Sequence, residues 1–269
     1  MALHLTQPLK GFKPGLTRIT TVDEVDDPSG IGLSVLKLDV GERFDQTLAR
    51  ETAFLLMEGV VQARAGEKTA LLARKSLFDE PPSAVHASAG TRVELTAQGA
   101  CELTVYETAN ALPFPPALYT EVADEHRGRG QLKNAAYRLV RTVFDSRNAP
   151  PQAELVLGEV VTLPGRWSSY PPHHHPQPEL YHYRFTDPRG YGHAELGERV
   201  LKVRHNDTVK ILKAVDHPQC AAPGYGMYYA WVIRHLPGAR YSVPEFTADH
   251  AWAQDPKATH WWPAGAEES

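Results

Sequence analysis

His173 and His175, then Glu179, then His217 far downstream, form a set of side chains suited to holding a metal ion. The local run is Pro171-Pro172-His173-His174-His175-Pro176-Gln177-Pro178-Glu179, and the last histidine lies in Val215-Asp216-His217-Pro218. In an extended strand, side chains two apart share a face, so His173 and His175 point one way and His174 the other. The segment Glu179 to Phe185 alternates as a strand and is predicted to pair with the histidine run across the proline-containing turn, which brings its carboxylate to the same interior. Three imidazoles and one carboxylate leave room for water or substrate, which points to an open, catalytic site and not a closed structural zinc site. An internal histidine run can also be a solvated loop that takes up metal adventitiously, and Glu179 at this spacing weighs against that. One divalent ion is expected: zinc or manganese foremost, with iron, nickel and cobalt suited to the same donors. Ligand histidines must be deprotonated, so occupancy is expected to fall through the ordinary imidazole range near ~6.

The elements that position these residues are predicted to be short strands. Apolar runs such as Gly32 to Leu38, Phe54 to Met57 and Arg92 to Thr96 recur between turn signals, in a chain with 22 prolines and 20 glycines. That rhythm indicates an all-β sandwich or barrel, not βαβ units. Asp124 to Gly130 and a few residues near Asp249 are the places for short helices or loops. At 269 residues the chain can fold without staples, and its two cysteines, Cys101 and Cys220, make no disulfide framework. A formal charge of −4 gives no basic field for nucleic acid or an anionic membrane. Without a signal-like start or a long apolar run, the expectation is a cytoplasmic, soluble protein acting on a small molecule, with a homo-oligomer allowed.

The proline- and glycine-rich stretch 113–130 is expected to connect two domains, 1–112 and 131–269. The halves look like weak copies of each other. If Glu51 matches Glu179, then Asp45 and Thr47 match His173 and His175, and the N-terminal domain lacks metal ligands. A lone His86 in that half is expected to be structural.

The histidine and glutamate spacing is similar to the metal motif of the cupin superfamily. More specifically, Val156 to Val160, Trp167 to His173, Glu179-Leu180-Tyr181, Arg184-Phe185, His217-Pro218, Ala222 to Tyr225 and Tyr228-Tyr229 resemble the 5-deoxy-glucuronate isomerases (IolB) of bacterial myo-inositol breakdown. Those are related to the 4-deoxy-hexosulose-uronate ketol-isomerases (KduI) of pectin breakdown. Weaker echoes are Arg127-Gly128-Arg129-Gly130 and Arg74-Ser76-Phe78. The chain departs from the pattern at Asp216, where the family has Tyr, at Gly226, where it has Asp, and at Trp231, where it has Asn.

The resemblance implies a bicupin, two double-stranded β-helix (jelly-roll) barrels in one chain, with metal held by His173, His175, Glu179 and His217 of the second barrel. It also implies aldose–ketose isomerisation of a deoxy-uronic acid, 5-deoxy-glucuronate giving 2-deoxy-5-keto-gluconate. Tyr181 and Tyr183, which share the strand face of Glu179, are candidates for moving the proton. For the substrate's far carboxylate, Arg184 matches the family position although strict alternation turns it from the metal; Arg166 and Tyr229 are the other binding candidates. The alternatives are a metal-dependent cupin dioxygenase and a sugar-acid binding bicupin without turnover.

Overall fold

The computed structural model describes residues 3–263. Its first half is organised by the 15-residue strand Glu51–Ala65, which belongs to two ladders in turn. Its opening residues pair with Cys101–Thr108 and Ala84–Ala87, and its later ones with Lys68–Arg74 and Arg92–Ala97. The changeover coincides with a register shift between Leu56 and Glu58 and with Gly59 at φ +101°. A Cβ there would lie 2.2 Å from the carbonyl oxygen of Ala100, so only glycine allows the bend. Alternation sends Phe54, Leu56, Val61 and Ala63 into a core shared with Leu36, Leu95 and Leu103.

The second half repeats this logic. A seven-stranded sheet runs in the order His4–Leu5, Thr208–Ile211, Glu179–Phe185, Met227–Arg234, Leu155–Thr162, Arg138–Phe144, Glu125–Arg127. It shares a core with a four-stranded sheet made of Trp167–Ser168, Gln219–Ala221, Tyr191–Leu196 and Arg199–Arg204: Tyr183, Phe185 and Met227 of one meet Ala194, Leu196 and Val203 of the other.

The outer faces of the two large sheets pack on each other. Ala53, Leu55, Met57 and Tyr106 of the first half meet Leu157, Leu180, Tyr228 and Val232 of the second in a third buried cluster. Within the same contact, Arg74 from the first half reaches Glu159, which also receives Arg141 and the Tyr228 hydroxyl. Sheets apolar on both faces explain why strands such as Leu155–Thr162 are buried at every position.

The all-β expectation holds, and several details differ from the sequence reading. His4–Leu5, assigned to 1–112, pairs with Thr208–Ile211 in the second half. The stretch 113–130 supplies an edge strand to each half: Ala117–Tyr119 pairs with Ala84–Ala87, and Glu125–Arg127 with Arg138–Phe144. The latter is a strand where a short helix or loop was expected. Ala248–Gln254 is a 3-10 helix. Both cysteines are free. Among the described residues, no helix is long and apolar enough to cross a membrane.

Candidate metal centre

Glu179, Tyr181, Tyr183 and Phe185 occupy the inward face of their strand, as alternation requires. The predicted pairing of that strand with the histidine run does not occur. His173–His174 pairs with Glu245–Phe246, while Glu179–Phe185 pairs with Thr208–Ile211 and Met227–Arg234. Prolines 171, 172, 176 and 178 remove amide donors on both sides of the histidines, leaving a ladder only two residues long.

The side chains still converge. Glu179 Oε2 lies 3.3 Å from His175 Nε2 and 3.5 Å from His217 Nε2, all three residues buried. His173 is outside this cluster of three but lines the same cavity, its ring centroid 5.0 Å from that of His217. Each of the three rings is held in one way: Nδ1 of His173, His175 and His217 sits 2.9, 3.0 and 2.9 Å from the carbonyl oxygens of Pro171, Gln177 and Val215. Donation from Nδ1–H to a carbonyl leaves Nε2 as the lone pair, the tautomer a metal ligand requires.

The donor set fits a divalent cation. Glu179 Oε2 and His217 Nε2 are buried and have no hydrogen-bond partner. An unsatisfied buried polar atom costs ~1–3 kcal/mol, and a cation between these atoms would satisfy both. Burial holds two of these imidazoles neutral, lowering His173 and His217 to about 4. This shifts the expected pH limit, because the sequence reading used an ordinary, solvated imidazole. A ligand whose proton affinity is this low does not compete with metal until the solution approaches that acidity. Metal content by elemental analysis after dialysis should therefore be the same at about pH 7 and about pH 5.5, declining only toward about 4. A midpoint near about 6 would show that the ligands are solvated.

Tyr181 and Tyr229 line the cavity, their rings stacked at 4.5 Å, with Ser169 Oγ 3.3 and 3.0 Å from their hydroxyls. Burial raises the Tyr181 phenol well above its usual range and Tyr229 to about 12, so both keep their protons. Tyr183 is core instead: its hydroxyl donates to Gln219 Oε1 at 2.7 Å, away from the cavity. Arg184 is also corrected. Alternation turns it outward, where it pairs with Glu102 of the first half at 2.7 Å. Arg166 donates to the carbonyl of Lys133 and does not line the cavity.

The guanidinium groups that do line it are Arg138 and Arg127, opposite each other on paired strands. Arg127 is engaged by Glu125, whereas Arg138 donates to the carbonyl of Ala136 and has no carboxylate partner among the described residues. Burial, with Arg127 nearby, lowers Arg138 to about 10. The sequence offered Arg127-Gly128-Arg129-Gly130 as a motif, but no local signal joins Arg138 to histidines that meet it only through the sheet. Trp231, Tyr241 and Phe246 supply walls. The Trp231 ring explains Gly158, where a Cβ would lie 2.2 Å from it.

The first half holds no counterpart of this centre. Glu51 points away from its barrel and toward the second half, accepting hydrogen bonds from the backbone N–H groups of Glu154 and Leu155 and meeting His86 Nε2 at 2.9 Å. Thr52, not Glu51, is on the inward face, so the matching of Glu51 with Glu179 fails by one residue. Asp45 is held outside by Arg92 at 2.8 Å. His86 is structural, as expected, stacked on Phe144 at 4.2 Å.

The family model described as KduI/IolB family matches residues 5–253. A 5-deoxy-glucuronate isomerase of Lacticaseibacillus casei is 27% identical over 95% of this chain and 99% of its own length. One from Geobacillus thermodenitrificans (strain NG80-2) is 26% identical, covering 84% and 87%. The crystal structure of an IolB-like protein from Salmonella typhimurium LT2 superposes with a TM-score of 0.79 at 25% identity, over 91% of this chain and 97% of that one. The barrel fold itself extends further, to Bacillus subtilis oxalate decarboxylase at a TM-score of 0.61 and 10% identity.

Proposed function

Because the chain belongs to the KduI/IolB family, we propose that it is a metal-dependent aldose–ketose isomerase that converts 5-deoxy-glucuronate to 2-deoxy-5-keto-gluconate, a step of myo-inositol breakdown. One observation carries this reading: the His175, Glu179 and His217 cluster shares a cavity with a guanidinium that has no acidic partner among the described residues, Arg138. His173, with Nε2 free and its ring beside His217, is the fourth ligand in this assignment. Zinc or manganese suits these donors. A divalent ion held by these residues would polarise the substrate carbonyl and acidify the adjacent C–H.

The chain's own residues do the rest. Arg138, assisted by Arg127, binds the carboxylate at the far end of the substrate, and a half-buried guanidinium strengthens that charge-assisted contact. Tyr181 and Tyr229 retain their protons and offer them as hydrogen-bond donors to substrate oxygens, with Ser169 bridging their hydroxyls. Tyr241 and Phe246 shield the reacting carbons from water.

Proton NMR of 5-deoxy-glucuronate with metal-replete protein in deuterated water tests the reaction. Isomerisation with deuterium entering at the carbon that receives the proton is expected, and an unchanged spectrum would sink the proposal. Arg138→Met should raise KM for the uronate by about 10- to 100-fold with a smaller change in kcat, the loss of one charge-assisted contact made in ground and transition states alike. A kcat defect at unchanged KM would remove Arg138 from the carboxylate site.

A further inference from the structure

The first barrel has a mouth of its own. A cleft of about 480 Å³ is lined by Thr52 and Phe54, near the start of Glu51–Ala65, just as the metal cavity is lined by Glu179 and Tyr181 at the start of their strand. At ~30 Å³ per water molecule it has room for a six-carbon sugar derivative.

Its chemistry is not that of the metal cavity. Cross-strand pairing sets Arg18 opposite Ser34, Ser34 opposite Val105 and Val105 opposite Phe54, with Glu107 opposite Thr52 one step nearer the start of that strand. All six line the cleft. Arg18 has no acidic partner and Glu107 no basic one among the described residues, although the nearby Arg50 and Asp23 pair with each other at 2.5 Å. Ser34 is only 3% exposed, and its hydroxyl makes no hydrogen bond to protein among the described residues. The cleft therefore presents a guanidinium, an inward hydroxyl and a carboxylate around the apolar side chains of Phe54 and Val105. A guanidinium matches a carboxylate, a carboxylate accepts from neighbouring hydroxyls, and an aromatic ring packs on the C–H face of a sugar.

We propose that the first barrel is a second binding site, independent of metal, for a small polyhydroxylated carboxylate: Arg18 takes the acid group, and Glu107 and Ser34 take hydroxyls. No histidine or cysteine lines the cleft, and the role assigned to it is binding alone.

The test uses the full chain with Glu179→Gln and Arg138→Met, stripped of metal by chelation to silence the second barrel, and calorimetric titration with D-glucuronate. One site per chain is expected, weakened at least about tenfold by adding Arg18→Ala, with D-glucose also at least about tenfold weaker for want of the acid group. Arg18 is exposed, so its removal leaves the fold intact. Should the double variant not fold, the metal-loaded native protein should bind two D-glucuronate molecules per chain and its Arg18→Ala variant one. Absence of binding in the silenced protein, or affinity indifferent to Arg18→Ala, overturns the proposal. The isomerase reading fails separately, by absence of turnover in the native protein, which leaves this stoichiometry untouched.

Discussion

Glu179→Gln should lower isomerase turnover by about 10³-fold or more while the chain remains folded. Glu179 Oε2 is the atom that both His175 Nε2 and His217 Nε2 face, at 3.3 and 3.5 Å, and it is buried with no other partner. An amide of the same shape removes the only negative charge among the proposed ligands and can turn an NH₂ toward the imidazole lone pairs. Metal affinity and the charge that balances a dication are lost together. The measurement pairs elemental analysis with turnover at saturating metal and with far-ultraviolet circular dichroism. Full metal content with full turnover would show that Glu179 is not a ligand. Metal retained with turnover lost would instead give the carboxylate a part in the chemistry.

The second large effect concerns stability and leaves the metal site alone. Glu159→Gln should destabilise the protein by about 3–5 kcal/mol, because it uncouples a buried charge cluster. Arg74, Arg141 and Glu159 are all fully buried; Glu159 pairs with both guanidinium groups, and its Oε2 accepts from the Tyr228 hydroxyl at 2.8 Å. Removing its charge leaves Arg74 with no carboxylate among the described residues and Arg141 with Asp124 alone, although backbone carbonyls of Leu56, Leu77 and Glu80 still accept from the two guanidinium groups. Urea unfolding followed by tryptophan fluorescence reads the loss as a lower midpoint at unchanged slope. A change below about 1 kcal/mol would mean that the cluster is solvated or that the halves contribute little to each other's stability.

The site was legible where chemistry is local and obscure where it depends on the sheet. His175, Glu179 and His217 could be named from donor type and spacing, because few arrangements place those groups together by chance. Strand alternation correctly put Tyr181 inward. It also put Tyr183 inward, yet depth along the strand, which alternation does not encode, places that hydroxyl on Gln219 and out of reach. The same alternation turned Arg184 outward, and the structure follows it, against the family position. Arg138 went unnoticed because it enters the cavity from a strand three places removed in the sheet from that of Glu179 and has no motif around it. In the first half, matching Glu51 to Glu179 was wrong by one residue, and in a strand one residue reverses the face. The proline-broken pairing of His173–His174 was missed because its partner, Glu245–Phe246, lies at the far end of the chain.

Strand His4–Leu5 is made long before its partner, Thr208–Ile211. Lys210 donates its N–H to the carbonyl of Leu3, Asn206 donates to that of Pro8, and His4 Nε2 lies 2.7 Å from Asp207. The first barrel can collapse as it is made, since strands from Gly15 to Thr108 find their partners within the half, but its leading segment must wait for nearly two hundred residues of translation. That strand is therefore a seam sewn late: whatever a biochemist fuses ahead of it is carried to the edge of the sheet that holds Glu179, not to the barrel whose sequence it precedes.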